Sequence, residues 1–127
     1  MMVDFKRSNK RVLVCDDDLE WLTLIEQELQ KKGFEVLLAS NGRQALDVIQ
    51  TQSFDLIVTE LLLPSVSGFE LIFSVRNRLP GLVPTIVVSK LKTAYAIQKT
   101  QELSIHQYLT KPADVKELVD HVVNLLS

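Results

Sequence analysis

The chain has 127 residues, 46% of them hydrophobic and 24% charged, enough for one domain with a substantial apolar core. A net charge of −2 gives no global attraction to nucleic acid or to an anionic membrane surface, and no apolar stretch approaches the ~20 residues of a spanning helix. The single cysteine, Cys15, excludes an internal disulfide and fits a reducing cytoplasm; its place inside an apolar run marks it as a small core residue.

Residues 1–10, with Lys6, Arg7 and Lys10, read as a solvated basic tail. Arg11-Val-Leu-Val-Cys15 is a short continuous apolar run, the mark of a strand covered on both faces. Asp18 is placed to cap a helix whose core stripe is Leu22, Ile25 and Leu29, closed by Lys31, Lys32 and Gly33. Trp21 lies off that stripe, on a partly exposed flank. Phe34–Ala39 is the second strand. Asn41-Gly42 opens a helix with Ala45, Leu46 and Ile49 inward, and Leu56–Thr59 is the third strand. Ser67 caps a helix over Phe69–Arg78 that stops before Pro80-Gly81. A strand over Pro84–Ser89, a helix over Thr93–Leu103 and a strand over Gln107–Thr110 come next. Asp114 caps a last helix with Val115, Leu118, Val122 and Leu125 inward. His106 and His121 have no ligand-like neighbours and read as surface residues.

Five strand–helix units with short connections imply an α/β fold, a parallel sheet with helices on both faces reached by right-handed crossovers. The doubly wound order 2-1-3-4-5 places strands one and three side by side at the switch point, and ligands bind at the C-terminal edge there. Strand ends deliver Asp16, Asp17, Glu60, Ser89 and Lys111 to that edge. Magnesium prefers oxygen ligands, and a phosphoryl group needs its charge neutralised, so these are the parts of a magnesium and phosphoryl site. Three neighbouring acids also repel one another unless a cation offsets them. An unrelated small binding protein of the same doubly wound architecture is disfavoured, because no glycine-rich phosphate loop succeeds strand one.

From Arg11 to Leu126 the chain resembles the flavodoxin-like receiver domain of bacterial two-component response regulators. The markers are Asp16-Asp17 after strand one, Leu63-Pro64-Ser-Val-Ser-Gly68-Phe-Glu-Leu after strand three, Ser89 after strand four and Lys111-Pro112 after strand five. The resemblance implies a receiver over 11–127, acting in phosphorelay signal transduction as an interaction switch and not as an enzyme. It implies a sensor kinase or other signalling protein as partner, with no direct nucleic acid or membrane binding. The implied output face is helix four, strand five and helix five, and a homodimer through it is the simplest assembly. The family's phosphoacceptor is an aspartate four residues before the loop proline, and counting back from Pro64 lands on Glu60. By the same likeness Asp16, Asp17 and Glu60 would hold Mg²⁺ weakly, Ser89 and Lys111 would hold phosphate, and Tyr108 is the switch aromatic. Lys90 stands where a small residue is usual, and Ser104 where glycine is common. Leu62, Lys90, Leu91 and Trp21 are the expected modulators of the pocket, Lys90 as a cation competing with magnesium.

Glutamate at that position adds one methylene, about 1.5 Å of reach, and misplacement on the order of 1 Å can cost ~100-fold in rate. The expectation is an atypical receiver, not phosphorylated at the usual place, with the carboxylate extended toward Ser89 and Lys111. The alternative is a phosphorylatable receiver that uses Glu60 or a neighbouring acid with Mg²⁺.

Overall fold

The three most continuously apolar segments form the middle of the sheet. They are β1 (Arg11–Cys15), β3 (Leu56–Thr59) and β4 (Thr85–Ser89), and all but Arg11 in them is buried. In the computed structural model of the chain, which describes residues 9–78 and 83–127, β2 (Glu35–Ala39) and β5 (Gln107–Thr110) flank them in a parallel sheet of order β2-β1-β3-β4-β5. The helices are α1 (Leu19–Lys31), α2 (Gly42–Thr51), α3 (Gly68–Arg78), α4 (Ala94–Glu102) and α5 (Val115–Leu126).

Strand residues alternate between two faces. Val12, Val14, Val58, Ile86 and Val88 pack under α1 and α5, against Leu22, Ile25, Leu29, Leu118 and Val122. Leu13, Cys15 and Ile57 pack under α2 and α3, against Ala45, Ile49, Leu71 and Val75. Val87 and Ala96 bring α4 onto this second side. Among the described residues no helix is long and apolar enough to cross a membrane.

Short polar side chains start the helices by accepting the orphan N–H groups of the first turn. Asp18 accepts from Trp21 N–H at 3.2 Å, Asn41 from Gln44 at 2.9 Å, Ser67 from Glu70 at 3.3 Å and Asp114 from Lys116 at 2.9 Å. Thr93 caps α4 by accepting from Ala96 N–H at 3.1 Å. Thr93 and Leu103 are therefore caps outside the helix, not its end residues. Phe34 and Pro84 fall just outside their strands. His106 is a correction to the surface reading: it is half-buried, and its Nδ1 accepts the Thr85 backbone N–H at 3.2 Å. The tail residues Lys6 and Arg7 and the stop at Pro80-Gly81 lie outside the described residues.

The end of α4 is held from an unexpected direction. Arg76 on α3 donates to the carbonyls of Leu103, Ser104 and Val83 and to the Thr85 hydroxyl, tying the α4–β5 turn to α3 and β4. In that turn Ser104 has φ +62°, a left-handed conformation that a residue with a Cβ adopts at a cost. Ser104→Gly should raise stability by up to about 1 kcal/mol in urea denaturation, the relief of strain exceeding the entropy that glycine adds to the unfolded chain. A loss of stability in that variant would contradict the strain.

Candidate functional site

Register brings the site together. Cys15 pairs with Thr59 across β1 and β3, so Asp16 and Glu60 leave the sheet side by side. Both backbones stay tied to the neighbouring strands, Asp16 N–H to Ala39 O and Glu60 N–H to Cys15 O, each at 3.0 Å. Ser89 ends β4 beside Thr110, and Lys111 N–H donates to Ser89 O at 2.8 Å. Asp16, Glu60 and Ser89 are buried, and Lys111 is half-buried. Gly68 lets α3 press on this edge, because a Cβ there would lie 2.1 Å from Glu60 O.

A buried carboxylate must be hydrogen-bonded or paired. Glu60 Oε1 accepts the N–H groups of Leu61 at 2.8 Å and Leu62 at 3.1 Å, together with a short bond from the Ser89 hydroxyl. Its Oε2 faces Lys90 N–H and Lys111 Nζ, each at 3.3 Å. The same ammonium pairs with Asp16 Oδ2 at 2.7 Å, while Asp16 Oδ1 accepts Asp18 N–H at 2.9 Å. Ser89 Oγ also accepts Leu91 N–H at 3.1 Å, and the Tyr108 hydroxyl donates to Leu91 O at 2.6 Å. A hydrogen-bonded line thus runs from Glu60 through Ser89 and Leu91 to the half-buried Tyr108.

Burial works against the charged form of every group here, and the partners decide the sign. For Glu60, Ser89, the loop amides and Lys111 outweigh burial and hold the carboxyl below its ordinary range. Its stabilising contribution is present above the ordinary glutamate pKa and is lost as pH falls through the depressed one. For Lys111, Asp16 and Glu60 outweigh burial and raise the ammonium pKa. That contribution is present below the ordinary lysine pKa and lost as pH rises through the raised one. For Asp16 burial prevails over Lys111 and the Asp18 N–H, so its carboxyl is pushed up and its charged form costs stability. Burial likewise raises the Tyr108 phenol.

Asp16, Asp17 and Glu60 do not form a three-residue cluster among the described residues, and Asp17 is exposed. The carboxylate oxygens of Asp16 and Glu60 are of the ligand type magnesium takes, but all of them face protein donors in this arrangement, so an ion there would compete with Lys111. The cation between the acids is Lys111, not Lys90. Lys90 is exposed, and its backbone N–H, not its ammonium, reaches Glu60. Leu62 is half exposed on the rim, and Leu91 links Ser89 to Tyr108. Trp21 is half-buried and lines a cleft of about 190 Å³ with Asp18, Lys111, Pro112 and Ala113. The N–H of Leu61 was not foreseen as part of the site, since a backbone donor leaves no trace in residue identity.

Residues 12–123 match the family model of the response regulator receiver domain. The chain is 32% identical over 116 residues to the DNA-binding transcriptional regulator NtrC of Bradyrhizobium, covering 91% of this chain and 24% of that protein. It is 30% identical over 122 residues to the sporulation initiation phosphotransferase F of Bacillus subtilis, covering 93% of this chain and 94% of that one. Among solved structures, a CheY-like response regulator receiver domain protein of Methanospirillum hungatei aligns with a TM-score of 0.86 at 26% identity, covering 92% and 93% of the two chains. The chain thus spans about a quarter of one curated relative and nearly all of another.

Removing the shared ammonium leaves two buried carboxylates without a cation. Lys111→Met should cost about 3–5 kcal/mol near neutral pH, and the deficit should shrink toward pH 5 as the unpaired acids take up protons. Lys90→Met should stay within about 0.5 kcal/mol of the native protein. Urea unfolding at both pH values checks this, and a pH-independent deficit, or a larger loss for Lys90→Met, would contradict it.

Proposed function

We propose, from the premise that the chain belongs to the response regulator receiver domain family, that it is an atypical receiver in two-component signalling whose Glu60 is a resident anion and not a phosphate acceptor. One observation carries this reading. The Glu60 carboxylate is surrounded by the hydroxyl of Ser89, the ammonium of Lys111 and the N–H groups of Leu61, Leu62 and Lys90. A hydroxyl, an ammonium and converging backbone N–H groups form a cradle suited to an oxyanion. An acyl phosphate formed on a shorter aspartate would project its oxygens toward such donors. Glutamate instead carries its own carboxylate there, and an oxygen engaged by several donors is a poor in-line nucleophile.

Receiver domains generally bind Mg²⁺ at the phosphorylation site. Here Lys111 supplies one positive charge shared by Asp16 and Glu60, so the resting site offsets part of its negative charge without an ion. The domain is then an interaction module with no turnover of its own. Its partner is a sensor kinase or another signalling protein, engaged through α4, β5 and α5. The route outward is the line from Glu60 through Ser89 and Leu91 to Tyr108. A charge-assisted hydrogen bond of ~1.5–3 kcal/mol made in one of two states shifts their ratio roughly ten- to a hundredfold.

Acetyl phosphate with Mg²⁺, with intact-mass measurement as the readout, tests the reading. The native protein should gain no phosphate, and Glu60→Asp should gain one that is base-labile. A phosphate on Glu60 itself would overturn the resident-anion reading, and an inert Glu60→Asp would show that the rest of the pocket has lost the chemistry as well.

A further inference from the structure

Phe73 lies in the middle of α3 and is 59% exposed, while Leu71, Ile72 and Val75 of the same helix are fully buried. A single exposed apolar residue is ordinary on a protein surface. This one differs in its surroundings, because Phe73 forms a ridge between two grooves. On one side a groove of about 340 Å³ separates α3 from α4, with Phe69 and Leu103 as its apolar walls. On the other, a groove of about 430 Å³ runs between α3 and α2, against Ile49. The second groove has fixed walls, since the Arg78 guanidinium donates to the carbonyls of Ile49 and Gln50.

A ridge beside a groove is complementary to a copy of itself. A two-fold axis places the same patch on both copies, so each supplies a knob and receives one. The charges have the same property. Glu70 on α3 and Lys99 on α4 are both exposed and line the first groove together with Phe73. Among the described residues neither side chain is in an ion pair or hydrogen bond. One acid and one base in the same patch as a protruding aromatic can pair with their counterparts when the patch is rotated onto itself.

We propose that α3 is a self-association surface: two copies of this chain pack about a two-fold axis, Phe73 of each entering the α3–α4 groove of the other, with Glu70 of one copy against Lys99 of the other. The face takes Lys99 from α4 and leaves β5 and α5 uncovered for another protein. It does not rest on the Glu60 reading, since no hydrogen bond or ion pair of the Glu60 network involves a residue of the patch.

Sedimentation equilibrium of the native chain over a range of concentrations tests the proposal, with a monomer–dimer equilibrium as the expected result. Phe73→Glu removes an exposed side chain and leaves the core intact, and it should weaken the dimer by at least ~10-fold. Glu70→Lys and Lys99→Glu should each weaken it roughly two- to fivefold, and the double exchange should restore it. A native chain still monomeric at ~1 mM would assign the ridge to a different protein and overturn self-association. A dimer that survives Phe73→Glu, or that is lost instead on Tyr95→Glu, a change at the exposed aromatic of α4 outside both grooves, would overturn it equally.

Discussion

Lys111 Nζ stands 2.7 Å from Asp16 and 3.3 Å from Glu60, two carboxylates that are almost completely enclosed. Charges are kept inside a protein only when paired and hydrogen-bonded, so this ammonium is a condition for the whole C-terminal edge of the sheet. The strands exist to bring it about. β1 and β3 lie adjacent at the switch point and release Asp16 and Glu60 together, and β5 ends one residue before Lys111. Apolar burial along β1, β3 and β4 sets where those strand ends lie, and the ammonium between the two carboxylates offsets their repulsion.

Local geometry at this edge has a distant readout. Glu60 turns toward Ser89, Ser89 receives the Leu91 amide, and the Leu91 carbonyl receives Tyr108. Each link is a hydrogen bond between partly or fully buried groups, where a low dielectric strengthens it and a missing partner is costly. A change at Glu60 therefore has a continuous physical route to the surface beside α4. The other end of α4 is held separately by Arg76, which grips the carbonyls of Leu103 and Ser104. The two ends of that helix are thus bonded to different groups, the Glu60 line at one and Arg76 at the other.

Most of the fold was legible in the residues. Continuous apolar runs named the buried strands, and Asp18, Asn41 and Asp114 marked helix starts because short polar side chains accept first-turn N–H groups. The positions of Asp16, Glu60, Ser89 and Lys111 came from topology alone. Their relations did not. Which way Glu60 turns depends on backbone N–H groups in two separate loops, and those have no signature in side-chain identity. Asp17 looks equivalent to Asp16 in sequence, yet one is exposed and the other buried, because successive residues at a strand end point to different sides. Lys90 and Lys111 were likewise two lysines beside acids, and only the path of the backbone after β4 and β5 separates them. His106 reads as a surface residue because its partner, the Thr85 N–H, is a main-chain group at the start of a different strand.

The central claim is that the Glu60 carboxylate holds the Ser89–Leu91–Tyr108 line in the state that a phosphoryl group would otherwise produce. Amide and side-chain NMR shifts of Leu91 and Tyr108 measure that state directly, in the native chain and in Glu60→Asp before and after phosphorylation. The account predicts that the native shifts coincide with those of the phosphorylated variant. Native shifts that instead overlay the unphosphorylated Glu60→Asp protein would contradict it.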